Sequence, residues 1–368
     1  MAEKKNEILE LTEELVKFQS TNDNEEEIEA CLEYIEDYFS GPEFSIKRHV
    51  HDGTPSLVVT YGENSDPGLM LHGHIDVIEA SDEMFSPERR DGRLYGRGTS
   101  DMKAGVAVLM HLMKDMKAEK PDMGLMIVTD EELGGFNGAR KLFKEYSPDF
   151  AVSAEPNNTE GYMHIITEQK GVLRLKLSTE GLSAHGSRPW NGENAVEKFM
   201  DKWREVKGLF SEHGAGENWT TTVNLGKIKG GESTNKVPEK CEAWLDIRTA
   251  EEYPNSEVIQ DIKDIDGLST EVISDEAMLK TDNDNVYVKA LKKSADGFLE
   301  DCSITRKEPA SDMRHASREG IPAVVFGPEG YNPHAPDEYT VIESLEDYHN
   351  IMKAFVSDKF SSNGGGQE

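Results

Sequence analysis

The chain has 368 residues, with 71 Asp or Glu against 40 Lys or Arg and a net charge of −31. That length suits two domains and buries a large core without disulfides. The charge argues against nucleic-acid or anionic-membrane partners, and the scattered Cys31, Cys241 and Cys302 read as reduced thiols.

The opening MAEKKNEILELTEEL is charged and has no apolar core, and no apolar run reaches membrane-spanning length. A cytoplasmic protein is therefore expected. So acidic a surface fits either a highly soluble enzyme or adaptation to a salt-rich cytoplasm, where salt screens self-repulsion.

Residues 5–19 and 25–39 carry apolar residues at helical spacing (Ile8, Leu11, Leu15; Ile28, Leu32, Ile35). Short apolar runs follow that read as buried strands at 57–61, 69–75, 125–129, 150–153 and 323–326, with a helical pattern at 104–117. Strands alternating with helices predict an α/β sheet covered on both faces. From about residue 172 the pattern becomes strand, helix, two strands, helix, strand, which is the order of a ferredoxin-like unit with one open sheet face. The expected organisation is a catalytic domain over 1–171 and 278–368 with a smaller domain inserted at 172–277. A helix near 284–296 and a final amphipathic helix follow, and the tail SSNGGGQE reads as disordered.

Five segments concentrate metal-type ligands, mostly at the ends of predicted strands, where open α/β sheets place their sites. In LHGHIDVI, His74 and Asp76 are two apart and share one face of a strand. A metal-binding imidazole usually gives its second nitrogen to a carboxylate, and Asp76 is placed for that. In GRGTSDMKAG, Asp101 follows a glycine-rich turn; it could bridge two cations, or Ser100 or Asp101 could cap the following helix. In IVTDEELGG, three consecutive acids repel one another unless cations or protons offset them, or unless the turn is solvated. Of Glu131 and Glu132, one can bind metal while the other serves as a general base. AVSAEP ends on Glu155, and NPHAPDEY holds His334 between prolines. GLSAHGSRP places His185 in a loop of small residues. Two imidazoles and three carboxylates suit zinc, with cobalt or manganese as substitutes.

These motifs, in this order and over nearly the whole chain, resemble the dinuclear zinc hydrolases that include acetylornithine deacetylase, succinyl-diaminopimelate desuccinylase, aminoacylase and glutamate carboxypeptidase. The resemblance implies a catalytic α/β domain with a central mixed sheet flanked by helices, and an inserted ferredoxin-like lid that forms a homodimer. It implies that His74 and Glu155 bind one Zn2+, that Glu132 and His334 bind the other, and that Asp101 bridges them. Asp76 would orient His74, and Glu131 would be the general base. His185, supplied by the partner subunit in family dimers, would steady the oxyanion. Asn235 in GGESTNKVP, Arg248 in LDIR and Arg314 in SDMRHA match substrate-binding positions. A cis peptide between Asp101 and Met102 is also implied. The family often has Gly-Thr or Gly-Gly ahead of the last of these, where this chain has Pro309-Ala310.

The leading expectation is hydrolysis of the amide bond of an N-acyl amino acid. A dipeptidase or carboxypeptidase would use the same chemistry. A catalytically silent binding protein would have lost a ligand or the base, and every one of them is present.

Overall fold

Continuous apolar runs build the centre of the molecule in the computed structural model, which describes residues 2–159, 162–211 and 219–361. Strands Leu69–His74, Met123–Val128 and Phe150–Ser153 are buried along their whole length. Such uninterrupted burial is what parallel strands covered on both faces require. Among the described residues they belong to a nine-stranded sheet. Its order is Phe44–His51, Thr54–Tyr61, Met123–Val128, Leu69–His74, Phe150–Ser153, Ala323–Val325, Ile165–Gln169 and Leu279–Lys280, with Ile304–Lys307 also paired to Ile165–Gln169. The four strands from Met123–Val128 to Ala323–Val325 run parallel. Antiparallel neighbours flank them, making the sheet mixed.

One face carries helices Ala2–Lys17, Lys103–Asp115, Val286–Ala295 and Ile342–Lys359, packed through Ile8, Leu109, Leu291 and Phe355. The other carries Ala139–Glu145 and Met313–Arg318, packed through Phe143 and Met313. No helix among the described residues is long and apolar enough to cross a membrane.

The chain divides into two compact units. One comprises 1–168, 279–307 and 311–368, and the other 169–278 with 308–310. The second unit has an antiparallel sheet ordered Thr222–Gly230, Lys240–Thr249, Gly171–Glu180, Ser269–Glu276. Helices Ala195–Gly208 and Asn255–Lys263 join Leu173, Leu175 and Leu177 in its core. The opposite face is polar: Lys176 pairs with Glu242 at 2.8 Å, and Lys227 lies 4.6 Å over the Trp244 ring.

Two features escape the periodicity. Strand Phe44–His51 is mostly solvent-facing, so it shows no apolar run; its pairing with Thr54–Tyr61 makes it a strand. A four-stranded sheet of very short strands, Gly330–Tyr331, Tyr339–Val341, Arg93–Tyr95 and Glu88–Arg90, is too brief to leave a pattern. The expectation of disorder for the tail falls on residues 362–368, which lie outside the described residues.

Candidate metal centre and active site

His74 ends its strand fully buried. Its Nδ1 meets the main-chain oxygen of Asp76 at 2.9 Å, with the Asp76 carboxylate 3.5 Å away. That carboxylate accepts the main-chain N–H of Glu132 at 2.9 Å. Asp76 therefore ties together the ends of two neighbouring parallel strands. Nε2 of His74 is left facing Asp101 Oδ1 at 3.1 Å.

Asp101 does not cap the helix after it. The cap position is Met102 and has no side-chain cap bond. The Asp101–Met102 peptide is cis. The second Asp101 oxygen stands 3.5 Å from His334 Nε2, which is also 3.1 Å from Glu132 Oε1. His334 sits in left-handed backbone at φ 67°, within the turn between the short strands Gly330–Tyr331 and Tyr339–Val341. Tyr339 pairs with Tyr95 across the small sheet, and this pairing joins the His334 loop to the loop that leads into Asp101. Residues 101, 132 and 334 thus converge although they are far apart in sequence.

Two ligands, each about 2.0–2.2 Å from one tetrahedral ion, stand roughly 3.3–3.6 Å apart. The observed contacts of 3.1 to 3.5 Å are close to that spacing. Charge points the same way. Burial and the charge of Asp101 push the Glu155 carboxyl up to about 8, and its Oε1 is shut from solvent with no hydrogen-bond partner among the described residues. Burial, with the charges of Asp312 and Glu155, drives Glu131 well above the ordinary carboxylate range. Hydrogen bonds to Asp101 and Glu132 push His334 up to about 10. His74 is raised despite its burial, by Asp101 and Asp76. Carboxylates crowded this closely need positive charge among them, and the nitrogen and oxygen donors suit a zinc-type ion.

The Peptidase family M20/M25/M40 matches residues 70–358. The chain belongs to this family. M20 members are metal-dependent hydrolases, so this chain is a hydrolytic enzyme. It is 27% identical to a probable succinyl-diaminopimelate desuccinylase of Staphylococcus epidermidis, over 94% of this chain and 97% of that one. It is 30% identical to a probable carboxypeptidase of Aspergillus clavatus, over 67% of this chain and 63% of that one. The fold resembles the crystal structure of aminopeptidase PepT from Bacillus cereus, with a TM-score of 0.79 at 18% identity, covering 96% of this chain and 98% of that one.

The remaining expected site residues of this M20 chain lie as follows. His185, Asn235 and Arg248 belong to the second unit. There His185 and Lys236 form a bridge, and Gly186 donates its N–H to the Asn235 carbonyl at 2.7 Å. The Ser187 N–H donates to His185 Nδ1 at 3.1 Å, so the hydrogen of a neutral His185 sits on its exposed Nε2. Arg248 Nε donates to Asp246 at 2.7 Å. Arg314 lies in the first unit. It is buried, and its two terminal nitrogens donate to the carbonyls of Ser311 and Gly134, each at 2.7 Å. These bonds use two of the five guanidinium N–H donors, and the one to Gly134 fastens Arg314 to the Glu131–Gly134 turn.

Sequence reasoning passed over two acids. Asp312 is fully buried, with His72 at 3.4 Å and His315 at 3.7 Å. Against the upward pull of burial, His72 holds its carboxyl down at about 2. Glu338 accepts the N–H groups of Gly98, Ser100 and Asp101 at 2.9, 2.9 and 3.1 Å. Both acids lie inside motifs already singled out, SDMRHA and NPHAPDEY, but nothing local separates them from solvated acids.

Proposed function

We propose that this enzyme hydrolyses the amide bond of an N-acyl amino acid, in the manner of the succinyl-diaminopimelate desuccinylases among its relatives. The observation that carries this reading is the convergence of Asp101, Glu132 and His334 with buried His74. Glu131, next in the chain to a ligand, adds a carboxyl whose proton affinity is raised.

In this reading His74 and Glu155 would hold one Zn2+, Glu132 and His334 would hold a second, and Asp101 would serve both; Co2+ or Mn2+ could substitute. When bound, the two ions acidify a water molecule and polarise the amide carbonyl. Glu131 takes the proton from the attacking water and delivers it to the departing amine. Asp76 fixes the His74 ring through its main-chain oxygen and the Glu132 backbone through its carboxylate. Asn235, Arg248 and Arg314 contact the substrate. His185 presents its Nε2 hydrogen to the developing oxyanion of a partner subunit in a cytoplasmic homodimer.

A second reading, peptide-bond hydrolysis, is favoured by the 30% identity to a probable carboxypeptidase. Zinc- or cobalt-loaded enzyme assayed on N-succinyl and N-acetyl amino acids against dipeptides separates the two. Preference for acylated amino acids is expected. Turnover of dipeptides alone would replace the first reading with the second, and turnover of neither class would reject both.

A further inference from the structure

A second cluster of metal-type side chains lies apart from the one above. His49 and His51 alternate on the edge strand Phe44–His51 and so project from the same face, their rings roughly parallel with centroids 6.2 Å apart. Glu145, the last residue of helix Ala139–Glu145, reaches both. Its Oε2 is 3.1 Å from His49 Nδ1 and its Oε1 is 3.1 Å from His51 Nε2. We propose that His49, His51 and Glu145 bind one zinc-class divalent ion, separate from the catalytic cluster.

Three observations carry the assignment. The carboxylate oxygens of Glu145 stand 3.1 Å from a nitrogen of each histidine, close to the spacing between ligands of one ion. His51 Nε2 is shut from solvent and makes no hydrogen bond among the described residues, although a carboxylate oxygen is 3.1 Å away. The direction of that nitrogen's hydrogen or lone pair misses the carboxylate, so the two do not satisfy each other, whereas an ion on the lone-pair axis can bind both. The His49 ring is held from behind, its Nε2 3.0 Å from the Tyr146 hydroxyl, as ligating imidazoles usually are. Lys47, two residues before His49, lies over the Tyr146 ring, 5.7 Å from its centroid.

Two imidazoles and a carboxylate make an N2O set with a fourth position open to water, which suits zinc, cobalt or nickel better than calcium or magnesium. The site is distinct from the catalytic cluster. His49 pairs with Ser56, and Ser56 is one step beyond the Leu57–Ile127 pair, which brings it opposite Val128, the partner of His74. Three strand spacings therefore separate His49 from His74, roughly 14 Å. An ion here would fasten the edge strand to the end of a helix that covers the sheet.

The test counts zinc per chain by equilibrium dialysis and elemental analysis of the whole protein after chelation and reloading. Wild type should hold one equivalent more than His51→Ala and one more than Glu145→Gln. Both variants should retain the wild-type circular dichroism spectrum and hydrolytic activity. Conversely, Glu132→Ala/His334→Ala, which disables the catalytic cluster, should keep the extra equivalent. If His51→Ala does not fold, Glu145→Gln decides alone, because its side chain is partly exposed and shape is preserved. Equal zinc counts in wild type and the folded variants would overturn the site. So would loss of the equivalent together with activity, which would make these residues part of the catalytic cluster. Because Glu132→Ala/His334→Ala is scored by zinc count alone, failure here is distinguishable from failure of the catalytic assignment.

Discussion

Arg97 and Glu338 form an ion pair in the interior, 3% and 1% exposed, and the same carboxylate holds the backbone that leads into Asp101. Removing one partner of a buried pair strands the other charge. Glu338→Ala is expected to cost about 3–5 kcal/mol in urea unfolding and to weaken zinc loading, because the Asp101 loop loses its acceptor. A variant within about 1 kcal/mol of wild type, inside the range of ordinary surface changes, would show that the pair does not hold the loop.

The neighbours Glu131 and Glu132 should separate cleanly. Glu131→Gln removes a proton carrier and should lower kcat by a factor on the order of 10² to 10⁴, with zinc content unchanged. Glu132→Gln should lose zinc, because it alters a residue at the His334 contact. Turnover and metal content measured on the same samples check both, and reversed phenotypes would exchange the two roles.

Gly105 lies in helix Lys103–Asp115, where alanine ordinarily adds about 1 kcal/mol of helix stability. Here a Cβ would stand 2.4 Å from the backbone oxygen of Ala154, next to Glu155. Gly105→Ala should therefore destabilise by about 1–3 kcal/mol, the cost of overpacking. A raised urea midpoint would mean that the helix can move away from this strand end.

His349 is buried against Lys4 and Asp115, and its pKa is lowered to about 3 by burial and by Lys4 and His111. Below about 6.5, the ordinary histidine value, the unfolded chain takes up a proton that the folded one refuses until about 3. Stability is thus full at neutral pH and falls through this window on acidification, with a slope of up to about 1.4 kcal/mol per pH unit from this group. His349→Asn should flatten the pH dependence of the urea midpoint between about pH 6 and 4, roughly the middle of that window. An unchanged slope would assign the acid sensitivity elsewhere.

The proposed homodimer would bring together chains that each carry −31. Salt shortens the Debye length from roughly 10 Å at 0.1 M to 3 Å at 1 M, so dimer fraction and specific activity should rise together across a salt series. Sedimentation and activity on matched samples test this. A fully active monomer would remove the partner-subunit role of His185, and a salt-indifferent dimer would end the salt-adaptation reading.

Much of the catalytic unit was legible along the chain. Met123–Val128 and Phe150–Ser153 are buried on both faces, and that burial writes itself as an unbroken apolar run. His74, Asp101, Glu132, Glu155 and His334 stand out along the chain because each ends such a run or lies in a loop marked by glycine or proline. Phe44–His51 was not, because an edge strand exposed to solvent carries a polar pattern that only its partner makes a strand.

The sequence by itself determined the α/β class, the inserted ferredoxin-like order of elements and the identity of the ligand-type residues, because periodicity and residue chemistry are local properties. Tertiary structure alone decided what each acid faces. Asp101 turns to His74 and His334 and leaves the helix uncapped. Arg314 fastens a turn, Glu338 takes three main-chain N–H groups, and His49 and His51 meet Glu145 from nearly a hundred residues away. These outcomes depend on strand order and on which charges are desolvated together, and both are set by contacts between distant segments.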